Sequence, residues 1–124
     1  MRNALVVDDS KAMRTILKKA LQGEGFVSIS EAGNGQEALE QLKAIGAVEL
    51  VLLDWNMPVM SGIEFLKAMR AQTEYTDVRV MMVTTETEPQ QVLRALNAGA
   101  DEYIMKPFTR DVLQTKLQLL GFAR

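Results

Sequence analysis

Asp8, Asp9, Asp54, Thr84 and Lys106 are spread along the chain, and each follows directly on a short apolar run. If those run ends meet, three carboxylates, a hydroxyl and an ammonium converge. Clustered carboxylates repel one another, so such a site calls for a cation. The sequence contains no Cys and no His. Thiolate and imidazole metal sites, cysteine nucleophiles and Ser-His-Asp triads are therefore excluded. Oxygen ligands alone favour a hard ion, and Mg²⁺ binds through one or two carboxylates while keeping waters. Lys106 adds a fixed positive charge and Thr84 a hydroxyl donor. Together these groups suit the charged oxygens of a phosphoryl group in transfer, which requires positioning and charge neutralisation above all. A carboxylate can itself be the nucleophile and form an aspartyl-phosphate.

The elements that must bring these residues together are legible in the pattern. Apolar runs at Ala4–Val7, Val27–Ser30, Leu50–Leu53, Val80–Val83 and Tyr103–Met105 have strand length,. The runs at Leu50 and Val80 are apolar on both alternating faces, as central parallel strands covered on both sides would be. Between them lie helical patterns. Met13, Ile16, Leu17, Ala20 and Leu21 recur at helical spacing behind Ser10, an expected N-cap,. Asn34 to Glu37 and Ser61 to Glu64 have capping-box spacing,. Thr87-Glu88-Pro89-Gln90 opens a fourth helix, with Gly99 past its end. A fifth runs from about Thr109 to Leu120, with Val112, Leu113, Leu117 and Leu120 on one face. Five strand-then-helix repetitions predict an α/β fold with a doubly wound, five-stranded parallel sheet, (βα)5 and flavodoxin-like. In such folds ligands gather beyond the carboxyl ends of the strands.

The length of 124 residues fits one domain spanning 1–124,. A hydrophobic fraction of 48% supports a true core,. The net charge of −2 offers no nucleic-acid or membrane surface,. The opening apolar run is too short for a signal-peptide core, and nothing approaches a membrane span, so the expected location is the cytoplasm. Blander readings exist for each residue. Asp8 or Asp9 could cap the first helix, although Ser10 already serves. Asp54 could be a turn residue before Pro58, Thr84 an ordinary strand end, and Tyr103 strand filler. Trp55 is expected near the metal rather than in the interior. The eight methionines read as core filler.

Taken in order, Asp8-Asp9-Ser10, Asp54-Trp55-Asn56-Met57-Pro58, Thr84, Tyr103 and Lys106-Pro107-Phe108 resemble the receiver domains of two-component response regulators. The resemblance covers essentially the whole chain and points, within that family, to single-domain regulators of chemotaxis. It implies that Asp54 accepts a phosphoryl group from a sensor histidine kinase. Asp9, Asp54 and the backbone carbonyl of Asn56 would hold Mg²⁺, with Asp8 supporting it through water. Lys106 would contact a phosphoryl oxygen, Thr84 would swing toward it, and Tyr103 would turn inward in the active state. Asn56 and Glu86 would tune dephosphorylation. The Lys106-Pro107 bond would be cis. A monomer would dock its target on the face made by helix four, strand five and helix five, where Lys116 also matches. Glu88-Pro89 stands where the enteric chemotaxis regulator carries basic residues, which leaves the target open. The other readings are a receiver cut from a larger regulator, a small aspartyl-phosphate phosphatase, and a flavin or nucleotide carrier. Phosphatases of the haloacid-dehalogenase type need a second Asp where this chain has Asn56. A carrier would need a phosphate cradle in the first turn, where Asp8-Asp9 would repel the anion.

Overall fold

Residues 2–46, 48–85 and 89–122 are described by the computed structural model. The element order is β1 (Asn3–Val7), α1 (Lys11–Gly23), β2 (Ser28–Ala32), α2 (Gly35–Ile45), β3 (Leu50–Asp54), α3 (Gly62–Arg70), a 3₁₀ turn (Thr73–Tyr75), β4 (Arg79–Thr84), α4 (Pro89–Ala98), β5 (Glu102–Met105) and α5 (Arg110–Leu119). All strand pairs are parallel and lie in the order β2-β1-β3-β4-β5. The alternating fold expected from the sequence is therefore present.

Alternation along each strand splits the core into two layers. Leu5, Val7, Val51, Leu53, Val80 and Met82 face α2, α3 and α4, where Phe65, Leu66 and Met69 pack on them. Ala4, Val6, Leu50, Leu52, Met81 and Val83 face α1 and α5, meeting Leu17, Leu21, Leu113 and Leu117. The three inner strands are apolar on both faces because helices cover both. The edge strand β2, by contrast, reads Ser-Ile-Ser-Glu-Ala and is only partly buried, its polar residues blunting the edge against pairing. Met69, Met81 and Met82 are fully buried, and Met13, Met57 and Met60 pack against the core, as filler should.

The helix starts follow local chemistry. Ser10, Asn34, Ser61 and Thr109 each accept a backbone N–H three residues on,. Ser61 and Glu64 form the complete reciprocal capping box. At Asn34 the box is altered: Glu37 reaches the Asn34 side-chain amide at 3.1 Å instead of the cap's own N–H. Three other expectations need correction. Val27 is 70% exposed and precedes β2, because the chain leaves α1 through a turn and pairs only from Ser28. Ile16 and Val112 share a helical period with core residues, yet both are exposed, since they sit at the margin of the buried stripe. Gly99 does follow α4, with φ 117°. The expected opening of that helix at Thr87-Glu88 falls outside the described residues.

Candidate phosphoryl-transfer site

Parallel strands of similar length end at one edge, and the register fixes which residues share it. Val7 pairs with Leu53, Asp54 with Val83, and Thr84 with Met105. Asp8, Asp54, Thr84 and Lys106 therefore emerge at neighbouring strand ends. One carboxylate oxygen from each of Asp8, Asp9 and Asp54 lies within 4.8 Å of the other two. Lys106 Nζ sits 3.0 Å from Asp8 Oδ2 and 3.5 Å from Asp54 Oδ1.

The three acids are not equivalent. Asp8 is only 1% exposed. Its Oδ1 accepts the Ser10 N–H and its Oδ2 the Lys106 ammonium, so it is a fixed, fully partnered anion. Asp9 is exposed and Asp54 half-buried. Asp54 Oδ1 accepts the Trp55 N–H at 2.9 Å and faces the Lys106 ammonium at 3.5 Å. Burial and the neighbouring Asp8 charge push the Asp54 carboxyl up to about 6, against the pull of Lys106 and the Trp55 N–H. An oxygen-only donor set carrying more negative than positive charge fits a small divalent cation. Asn56 is exposed in the loop beyond Asp54. Glu86 falls outside the described residues.

The remaining expected residues gather beside this pocket. Thr84 is 4% exposed and, with Trp55, Met82, Gln91, Val92, Ala95 and Tyr103, lines a narrow cleft of about 10 Å³. The neighbouring Thr85 is exposed. Trp55 is half-buried against the α2–α3–α4 layer while its backbone touches Asp54; it is both site neighbour and packing residue. The Lys106-Pro107 bond is cis.

Two features escaped the sequence reading. Arg14 donates to the Asp8 carbonyl at 2.7 Å and to Glu31 at 3.1 Å, bracing the acidic turn from α1. Desolvation opposes ionisation of Glu31, but Lys18 and Arg14 together hold its carboxyl below the ordinary value. The only sequence signal was an Arg one turn into α1. Val59, in the loop after Asp54, has φ 68° and is 82% exposed. A β-branched residue rarely adopts that conformation, so its identity gave no hint of it.

The chain matches the response regulator receiver domain model over residues 4–118. It belongs to the response regulator receiver family. This receiver is 42% identical to the chemotaxis protein CheY1 of Helicobacter pylori (strain J99) over 116 residues, covering 94% of each chain. It is 46% identical to the CheY homolog of Campylobacter jejuni over 114 residues, 92% of this chain and 88% of that one. Among solved structures, Vibrio cholerae CheY4 superposes with a TM-score of 0.88 at 36% identity, covering 97% of the receiver and 98% of that chain.

Two outcomes follow from the receiver's electrostatics. Because the folded state raises the Asp54 pKa from 3.8 to about 6, the fold favours the protonated carboxyl. That contribution is complete below the unfolded value and is lost as pH rises through about 6. At 1.36 kcal/mol per unit the full effect would be about 3 kcal/mol. Asp54 keeps some contact with water, which lowers it to roughly 1–2 kcal/mol. In chelator at pH 7.5, Asp54→Asn should therefore be more stable than wild type by that amount, and indistinguishable from it below pH 4. Urea unfolding across this range reads the difference, and an equal gap at both ends would refute the assignment.

Lys106→Ala gives the complementary result. It removes the partner of a buried anion, a change that typically costs several kcal/mol. Lys106 is 15% exposed, so a loss of about 2–3 kcal/mol is expected in chelator. Millimolar Mg²⁺ should recover most of it by supplying countercharge. A large loss in both conditions would count against a cation in this pocket.

Proposed function

We propose that the chain, over residues 1–124, is a single receiver unit that switches by phosphorylation of Asp54. The observation that carries this reading is the half-buried Asp54 carboxylate, within reach of two other acids and 3.5 Å from the Lys106 ammonium. An Asp54 oxygen attacks the phosphorus of a phosphohistidine on a partner kinase. The O–P bond forms as the P–N bond breaks, and the imidazole leaves with its electron pair. The chain lacks His and so cannot be its own donor of this kind. Lys106 offsets charge on the phosphoryl oxygens, and Arg14 and Ser10 hold the Asp8-Asp9 turn in place. Asp9, Asp54 and the Asn56 carbonyl would hold Mg²⁺, with Asp8 acting through water. That ion supplies further neutralisation of the phosphoryl charge.

Phosphorylation then draws the Thr84 hydroxyl toward the new oxygens. The cleft of about 10 Å³ between Thr84 and Tyr103 is too small for the phenol until Thr84 moves, which would couple the two motions. Tyr103 borders the face of α4, β5 and α5, where Leu93, Leu96 and Val112 are exposed; this is the surface offered to a protein target. The chemotaxis regulators among the relatives favour a chemotaxis role, with the target itself set by this face. Asn56 and Glu86 would orient the water that ends the signal. No helix among the described residues is long and apolar enough to cross a membrane, and we assign the protein to the cytoplasm, as a monomer without a nucleic-acid partner.

The test is incubation with acetyl phosphate and Mg²⁺. One phosphoryl group should be added, labile in both acid and base as an acyl phosphate is. Trp55 fluorescence should change as Mg²⁺ saturates and again on phosphorylation. Full labelling in excess EDTA would overturn the reading.

A further inference from the structure

The α5 side of Tyr103 carries an arrangement that the phosphoryl chemistry does not require. Lys116 Nζ stands 4.6 Å from the centroid of the Tyr103 ring and 2.9 Å from Glu102 Oε1. The same Glu102 oxygen accepts the backbone N–H of Tyr103 at 2.9 Å. One carboxylate oxygen thus pins the tyrosine's backbone and holds the cation that covers its ring. Neither side chain is free to drift, as Lys116 is 23% and Glu102 18% exposed.

From this geometry we infer that Glu102 and Lys116 form a latch on Tyr103, positioning residues that set how readily the ring leaves α5 for the cleft beside Thr84. The inference rests on the switch proposed above and adds its regulation. Two places compete for one ring, and Tyr103 borders both. On one side lies a cleft of about 10 Å³, roughly the space of a single water. On the other lies a groove of about 370 Å³ bounded by Ile104, Phe108, Val112 and Lys116. A cation over an aromatic face is attracted by the ring quadrupole, and partial burial strengthens that attraction. Lys116 alone would be a mobile, well-hydrated charge. Glu102 fixes it above the ring and lowers the entropy lost in making the contact. The latch thus favours the α5 position, and phosphorylation must overcome it. Loosening the latch should raise the fraction of molecules already in the arrangement that phosphorylation favours, and with it the labelling rate.

The test compares wild type with Glu102→Gln, Lys116→Ala and Lys116→Arg in the full chain. Tyr103 side-chain rotamer populations are read by NMR coupling constants, and acetyl-phosphate labelling rates are read in parallel. Glu102→Gln and Lys116→Ala should each raise the minor Tyr103 rotamer, and the labelling rate, by about three- to tenfold, the size expected of one partly buried cation–π contact. Lys116→Arg should restore wild-type populations, since the guanidinium also stacks and pairs. Unchanged rotamers in both loosening variants would overturn the latch, even if stability fell, because a merely structural pair would do just that. If wild type fails to label at all, the proposed phosphorylation falls, and the rotamer populations alone decide the latch.

Discussion

Asp54→Asn should lose essentially all labelling by acetyl phosphate, a fall of at least about two orders of magnitude, because an amide cannot serve as the nucleophile. The fold should survive, since the Asn side chain keeps an oxygen for the Trp55 N–H that Asp54 now accepts at 2.9 Å. The gain in stability expected at neutral pH in chelator makes this a clean separation, in which the variant is better folded and chemically silent. Asp8 is too buried and too fully partnered to replace it. Asp9 is exposed but follows a turn that Arg14 holds through the Asp8 carbonyl. Radiolabelling with mass-spectrometric mapping reads the result directly. Undiminished incorporation in Asp54→Asn, or a label mapped to Asp9 in wild type, would falsify the assignment of the acceptor.

The second large effect concerns Gly62, at the start of α3. Its N–H donates to the Trp55 carbonyl at 3.0 Å, which draws the helix onto the backbone of the Asp54-Trp55 segment. A Cβ there would lie inside contact distance of the Asp54 carbonyl oxygen and 3.3 Å from Trp55 Cα. Neither atom can swing aside as the end of a side chain could. Overpacking usually costs 1–3 kcal/mol. With backbone on both sides, Gly62→Ala should cost about 3 kcal/mol or more. The melting temperature should fall by roughly 10 °C or more. Gly46→Ala is the matched control: nothing lies within 4 Å of a Cβ there, although its φ of 76° still strains an L residue. It should lose only about 1 kcal/mol. Thermal unfolding of the pair checks this, and equal losses would mean that the close approach of α3 to Asp54 is not what requires glycine.

Much of this protein was legible in its sequence, and for definite reasons. Chemistry-bearing residues that follow apolar runs mark strand ends, and parallel strands bring their carboxyl ends to one edge. Asp8, Asp54, Thr84 and Lys106 could therefore be placed together before any distance was known. Caps such as Ser10, Ser61 and Thr109 are local, because a side chain reaches an N–H three residues on whatever the rest of the chain does.

What the sequence could not supply depends on contacts between segments far apart in the chain. Periodicity set Ile16 and Val112 on the helical stripes of Leu17 and Leu113, but only packing decided how wide each buried stripe is. Arg14 reads as an ordinary helix cation until α1 lies beside the Asp8 carbonyl and Glu31 of β2. Gly62 reads as a common residue after a cap until α3 meets the Asp54 backbone. Glu102 and Lys116 belong to different elements, and nothing in either residue type says that one oxygen joins them over Tyr103. Residue type and spacing determined the fold and the strand-end cluster on which the proposed phosphoryl chemistry rests. The tertiary structure alone decided which acid is buried and which stays available, because desolvation and charge pairing act through space and not along the chain.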